Sequence, residues 1–137
     1  MSRVLVVGAV APSGRALALA DLVELRLDLG ALAHVAAVRA AAASGAAPRF
    51  LVTLRSVREG GAFAGSPTDA AARLAAAAEA VDAAWVDAEH DVVTPLRACL
   101  GPGRAILASQ HGDGPVALPR DGVAAWKVAR PVADGPA

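Results

Sequence analysis

Short apolar runs separated by helical stretches constrain this chain more than any other feature. Val4–Gly8, Leu22–Leu29, Phe50–Arg55, Ala84–Glu89, Ala105–Ser109 and Val123–Ala129 are rich in Val, Leu and Ala. Continuous apolar runs of this length read as strands buried on both faces. Between them lie helical signals. Ser66 can cap a helix, Pro67 fits its first turn, and Asp69 completes a capping-box pattern before the helix formers Ala70 to Val81. A second helix is expected from Leu32 to Ala43, ended by Gly45 and Pro48, and a third from Thr94-Pro95 to just before Gly101. Strands that alternate with helices imply βαβ units and a parallel sheet.

Two connections depart from the alternation. Val10 to Ala20 has room only for a turn or a short helix. Gln110 to Gly122 contains Gly112, Gly114, Pro115 and Pro119, which disfavours a helix while leaving enough chain for a crossover.

Composition narrows the function classes. The 137 residues suffice for one domain, 1–137, with a real core. A chain that is 55% hydrophobic and 19% charged is not a disordered one. Zero net charge and scarce aromatics argue against a nucleic-acid partner. Cys99 is the single cysteine, so an intrachain disulfide and a thiolate metal cluster are excluded and a reducing cytoplasm fits. The apolar start, Val4 to Ala11, reads as a first strand rather than a signal sequence. No apolar stretch is long enough to span a bilayer. No pair of histidines has metal-ligand spacing, and His34 and His90 receive no role.

Polar residues gather at the expected carboxyl ends of the strands, where α/β folds place their chemistry. Glu24, Arg26 and Asp28 alternate with Leu25 and Leu27, which puts three charges on one strand face. Such charges need partners or a ligand, and an internal ladder of ion pairs is the structural alternative. Thr53 and Arg55 lead into Ser56-Val57-Arg58-Glu59-Gly60-Gly61, whose glycine pair permits a sharp loop close to a ligand or an ordinary surface loop. Trp85, Asp87 and Glu89 share a face, again compatible with a structural ion network. His111, expected just past the fifth strand, is a candidate acid/base or a solvated loop residue.

Lys127 is the only lysine beside twelve arginines, and it lies in the apolar run Ala124 to Ala129. Lysine, unlike arginine, can give up its proton when desolvated, and can then attack a carbonyl to form a Schiff base. The plain alternative is one lysine snorkelling near a strand end. Ala125 and Ala129 share its face and leave room for a ligand.

Five segments in this order resemble type I 3-dehydroquinate dehydratase: Asp21–Asp28, Leu51–Gly61, Trp85–His90, Ile106–His111 and Ala124–Pro131. The resemblance implies a (β/α) barrel of the TIM type, here incomplete with about six parallel strands. It implies an imine between Lys127 and the ketone of 3-dehydroquinate, with syn loss of water giving 3-dehydroshikimate in the shikimate pathway. It gives His111 the role of base and then acid, and Glu59 that of its orienting carboxylate. Glu24, Arg26 and Arg55 would contact the substrate, with Asp28 in support. No metal or organic cofactor is implied. An amine used this way must be free of its proton, which burial and a neighbouring Arg26 or Arg55 would favour.

The resemblance also implies eight strands, and an arginine for the substrate carboxylate that falls beyond residue 137. Six strands leave the first and the sixth as edges and apolar faces uncovered. The readings that remain open are a chain completed by another polypeptide, a remnant without activity, and a homo-oligomer that keeps partial chemistry. Weak or absent turnover by the chain alone is expected. Another Schiff-base lyase or aldolase on the same barrel is a further alternative, which the Glu-Gly-Gly loop and the strand-end histidine disfavour.

Overall fold

The computed structural model describes residues 3–41, 49–112, 115 and 122–129. Its elements follow in the order β1 (Val4–Val7), α1 (Gly14–Leu19), β2 (Leu22–Arg26), α2 (Val35–Ala41), β3 (Arg49–Thr53), α3 (Pro67–Val81), β4 (Trp85–Glu89), α4 (Val93–Cys99), β5 (Ala105–His111) and β6 (Ala125–Ala129). The strands form one parallel sheet in the order β1-β2-β3-β4-β5-β6. The sheet curls into a half-barrel with helices outside it, an incomplete TIM-type barrel.

Strand periodicity sorts the side chains into two environments. Val23, Leu25, Phe50, Val52, Val86, Ala88, Ile106 and Ala108 face the helices and are buried there. They pack with Val38 of α2, with Leu74, Ala78 and Val81 of α3, and with Val93 and Leu96 of α4. The intervening residues face the inside of the curl and are largely polar: Glu24, Thr53, Asp87, Glu89 and Ser109 are all buried.

The longest helix follows its sequence signals. Ser66 Oγ accepts the amide of Asp69 at 3.1 Å, and Pro67 sits in the first turn. Ala70, Ala71, Leu74, Ala77, Ala78 and Val81 form one buried stripe against the sheet. The expected helix over 32–43 divides in two. A 3-10 turn covers Ala31–His34 before α2, and residues 42–48 lie outside the described ones. The connection over Val10 to Ala20 holds the short α1, capped by Ser13, with no buried residue. The crossover from Gln110 to Gly122 lies mostly outside the described residues.

The two end strands are unlike the central four. On β1, Val4 and Val6 are 50% and 54% exposed, and on β6, Trp126 and Val128 are 49% and 40% exposed. The reading of Val123–Ala129 as a buried strand is therefore corrected. A run that would be covered on both faces inside a sheet is here an edge. Among the described residues no helix is long and apolar enough to cross a membrane.

Candidate active site

The inner face of the curl and the loops at the carboxyl ends of the strands bring together the residues read from the sequence. Glu24 on β2 is buried and accepts a hydrogen bond from Thr53 Oγ1 of β3 at 2.8 Å. Arg26 is the last residue of β2. The expectation that Asp28 continues the strand is corrected: the strand stops at Arg26, and Asp28 lies in a 3-10 turn, Leu27–Leu29, closed by Gly30 at φ +83°.

That turn folds Asp28 back onto Arg26. Arg26 Nε donates to Oδ1 at 2.9 Å and Nη2 donates to Oδ2 at 2.7 Å. The same carboxylate accepts the amides of Ala62 at 3.1 Å and Arg55 at 3.4 Å. Burial pushes the Asp28 carboxyl up, but the Arg26 bond and the Ala62 amide outweigh it and hold it below its ordinary value. Asp28 thereby ties the end of β2 to the loop after β3.

The loop after β3 is compact. Val57–Glu59 forms a 3-10 turn closed by Gly60 at φ +87°. Phe63 donates its amide to the Arg55 carbonyl, Val57 donates to the Phe63 carbonyl, and Gly61 donates to the Ser56 carbonyl. The loop is pinned to the next strand: Ser56 donates its amide to Glu89 Oε2 at 2.9 Å, and Arg58 pairs with Asp91 at 2.5 Å. Burial pushes the Glu89 carboxyl up. Arg55 Nε is buried without a hydrogen-bond partner among the described residues, so the guanidinium keeps a donor available.

Pinned this way, the loop carries Glu59 across to β5. Its Oε1 accepts the backbone amide of His111 at 2.7 Å and lies 3.2 Å from Nδ1 of the ring. His111 is the final residue of β5, paired with Ala129, rather than a loop residue beyond the strand. Burial, then the charge of Arg55, depress the His111 imidazole below its ordinary value, against the opposing pull of Glu59.

Lys127 pairs in register with Ser109, two residues before His111 on the neighbouring strand. Its side chain therefore shares the inner face with His111. It is 35% exposed, not desolvated as the sequence suggested. Among the described residues, the charge within ion-pair distance of Nζ is Asp87, at 3.4 Å to Oδ2, rather than Arg26 or Arg55. Asp87 is buried, and Ser109 Oγ donates to its Oδ1.

Asp87 and Glu89 share one face by alternation, and the sequence assigns neither a role. The signal was the alternation in Trp85 to Glu89, but it does not say which cation or amide each carboxylate meets. The loop anchors, Ala62 to Asp28 and Arg58 to Asp91, left no mark in the sequence at all.

Comparison with known proteins places the chain in a family. Residues 11–111 match the model for type I 3-dehydroquinase, a span that holds every candidate residue except Lys127. The 3-dehydroquinate dehydratase of Methanoregula boonei is 37% identical over 92 residues, covering 67% of this chain and 43% of that protein. A crystal structure of type I 3-dehydroquinate dehydratase from Clostridium difficile, with covalent modified comenic acid, shares the fold. Its TM-score is 0.52 at 16% identity, over 81% of this chain and 51% of that one. The chain thus spans about half the length of the relatives it matches. By the span and description of the family match, this chain belongs to the type I 3-dehydroquinases.

Proposed function

We propose that the half-barrel carries the imine chemistry of 3-dehydroquinate dehydratase, a hydro-lyase, working in the cytoplasm on a small carbocyclic acid. The observation that carries the reading is the shared inner face of His111 and Lys127, with Glu59 fastened to the histidine. The Lys127 amine condenses with the substrate ketone and releases water. The protonated imine then acts as an electron sink and acidifies the adjacent carbon. His111 removes a proton from that carbon, and the electrons of the broken C–H bond flow toward nitrogen to give an enamine. The enamine pushes out the hydroxyl group, to which His111 returns its proton, so that water leaves. Hydrolysis of the imine frees 3-dehydroshikimate and the lysine.

The remaining residues serve recognition and position. An ionised carboxylate only accepts hydrogen bonds, so Glu59 holds the hydrogen on Nδ1 of His111 and leaves Nε2 for the substrate. Arg55, with its unpartnered donor, and Arg26 and Glu24 are suited to the ring hydroxyls. Asp28 keeps Arg26 and the Arg55 backbone in place.

A second reading, a subunit completed by association with a second copy or another chain, is favoured by the exposed Val4 and Val6 on β1 and Trp126 and Val128 on β6. One experiment separates the readings. The chain is incubated with 3-dehydroquinate, reduced with borohydride and analysed by mass spectrometry, while turnover is followed in parallel. A stable adduct on Lys127 with slow turnover is the expected result. A folded sample with no adduct overturns the imine reading and favours a remnant without activity or a subunit whose role is association.

A further inference from the structure

Asp87 is a buried titratable group that the chemistry above leaves unused. It sits on the inner face of β4, 3% exposed. Its two oxygens have different neighbours: Oδ1 accepts from Ser109 on β5, and Oδ2 lies 3.4 Å from Lys127 Nζ on β6. Oδ2 has no hydrogen-bond donor among the described residues. One oxygen is thus anchored and the other is free to face the amine. Burial makes the ionised carboxylate costly and pushes Asp87 up, while Lys127 and Ser109 pull it down and the like charge of Glu24 adds to the rise. Inside a protein, a carboxylate beside an ammonium and a carboxylic acid beside an amine are alternatives of the same net charge. A small proton movement interconverts them.

We propose that Asp87 is the group that takes and returns the proton of Lys127 during imine formation. The inference rests on the reading of Lys127 as the imine-forming amine. In the resting pair, Oδ2 accepts a proton from the ammonium and frees the nitrogen lone pair. Nitrogen attacks the ketone carbon, a C–N bond forms, and the carbonyl π electrons move to oxygen. Asp87 returns its proton to that oxygen, accepts a second one from nitrogen, and returns it to the hydroxyl. The C–O bond breaks and water leaves. Of the three ammonium protons, two depart with the water and one stays on the imine nitrogen. Asp87 ends ionised beside the iminium. His111 is left free for the later carbon-to-oxygen transfer.

The test uses the 137-residue chain, 3-dehydroquinate and saturating cyanoborohydride, with the rate of adduct appearance on Lys127 read by mass spectrometry. In the unaltered chain the rate is expected to be nearly flat from about pH 6 to 8, because the pair exchanges its proton internally. In Asp87→Asn the rate is expected to fall roughly 10²- to 10⁴-fold and to climb about tenfold per pH unit, as solvent must deprotonate the amine. A folded Asp87→Asn that forms adduct at the unaltered rate overturns the proposal and leaves the lysine reading intact. If that variant does not fold, the unaltered chain still decides: a rate that climbs tenfold per pH unit overturns the proposal. Absence of adduct in the unaltered chain, as in Lys127→Met, overturns the lysine reading and this inference with it.

Discussion

The Glu59 carboxylate grips His111 twice, accepting its backbone amide at 2.7 Å and lying 3.2 Å from its Nδ1. The backbone bond fastens the loop to the end of β5 whatever the state of the ring. The ring contact brings Nδ1 within hydrogen-bond distance of the same carboxylate. Removing the ring and removing its partner should therefore separate. His111→Ala is expected to lower single-turnover dehydration by roughly 10²- to 10⁴-fold. Glu59→Ala should lower it by a smaller factor. Both should leave the Lys127 adduct detectable by mass spectrometry. The readout for dehydration is the ultraviolet absorbance of the conjugated product.

The depressed His111 has consequences for pH. With the neutral imidazole as the proposed base, dehydration should hold as pH falls through the ordinary histidine value of 6.5 and decline only below it. Arg55→Gln should move that decline toward higher pH, since the Arg55 charge is one cause of the shift. Stability runs in the same direction. The unfolded chain binds the His111 proton first, so stability should begin to fall as pH drops past 6.5 and continue falling to the lower folded value. Urea midpoints against pH, with His111→Asn as the control that lacks this contribution, check the sign.

Asp28 is the anchor whose loss should be felt most in stability. Its side chain is fully buried, and it meets Arg26 through two bonds and two loop amides. Asp28→Asn leaves a guanidinium that is 11% exposed without its anion. A cost of about 3 kcal/mol is expected, the range for breaking one side of a buried pair. In the unaltered chain the Asp28 carboxyl is held below 3.8, so its contribution is present above that pH and lost as pH falls through the lower folded value. Chemical denaturation at neutral pH and at about pH 3 measures both effects.

Gly61 is required by close approach rather than by a left-handed backbone. A Cβ at this position would lie 2.2 Å from the carbonyl oxygen of Arg55. Neither atom is the end of a flexible side chain, so Gly61→Ala must displace the loop that carries Glu59. Dehydration by Gly61→Ala is expected to fall to about the level of Glu59→Ala, with the lysine adduct preserved. Activity at the unaltered level would mean that the loop absorbs the methyl group without moving Glu59.

The two sheet edges should make the chain associate. Val4 and Val6 on β1 and Trp126 and Val128 on β6 expose apolar surface on the two end strands of the sheet. Sedimentation velocity is expected to show a mass that rises with concentration. Val6→Lys combined with Trp126→Lys should shift the chain toward monomer. A monomer at all concentrations before substitution would remove a second copy as the completing partner.

Much of this molecule was legible as a linear pattern. Strands covered on both faces need continuous apolar runs, so β2 to β5 announced themselves. The Ser66 cap and the buried stripe of α3 follow from local hydrogen bonding and from a 3.6-residue period. Alternation was enough to put Glu24 with Arg26, and Asp87 with Glu89, on a shared strand face, and the curl of the sheet made that face the inner one. Where strands stop was less legible. Asp28 leaves the sheet because Gly30 turns the chain, and His111 stays in it because Ala129 of β6 pairs with it. What no local rule contained is which groups meet. Glu59 reaches His111 across 52 residues, and Asp87 rather than an arginine reaches Lys127. Those meetings depend on the register between parallel strands and on a loop pinned at Glu89 and Asp91. Register is set by hydrogen bonds and packing between segments far apart in the chain, and only the folded sheet supplies them.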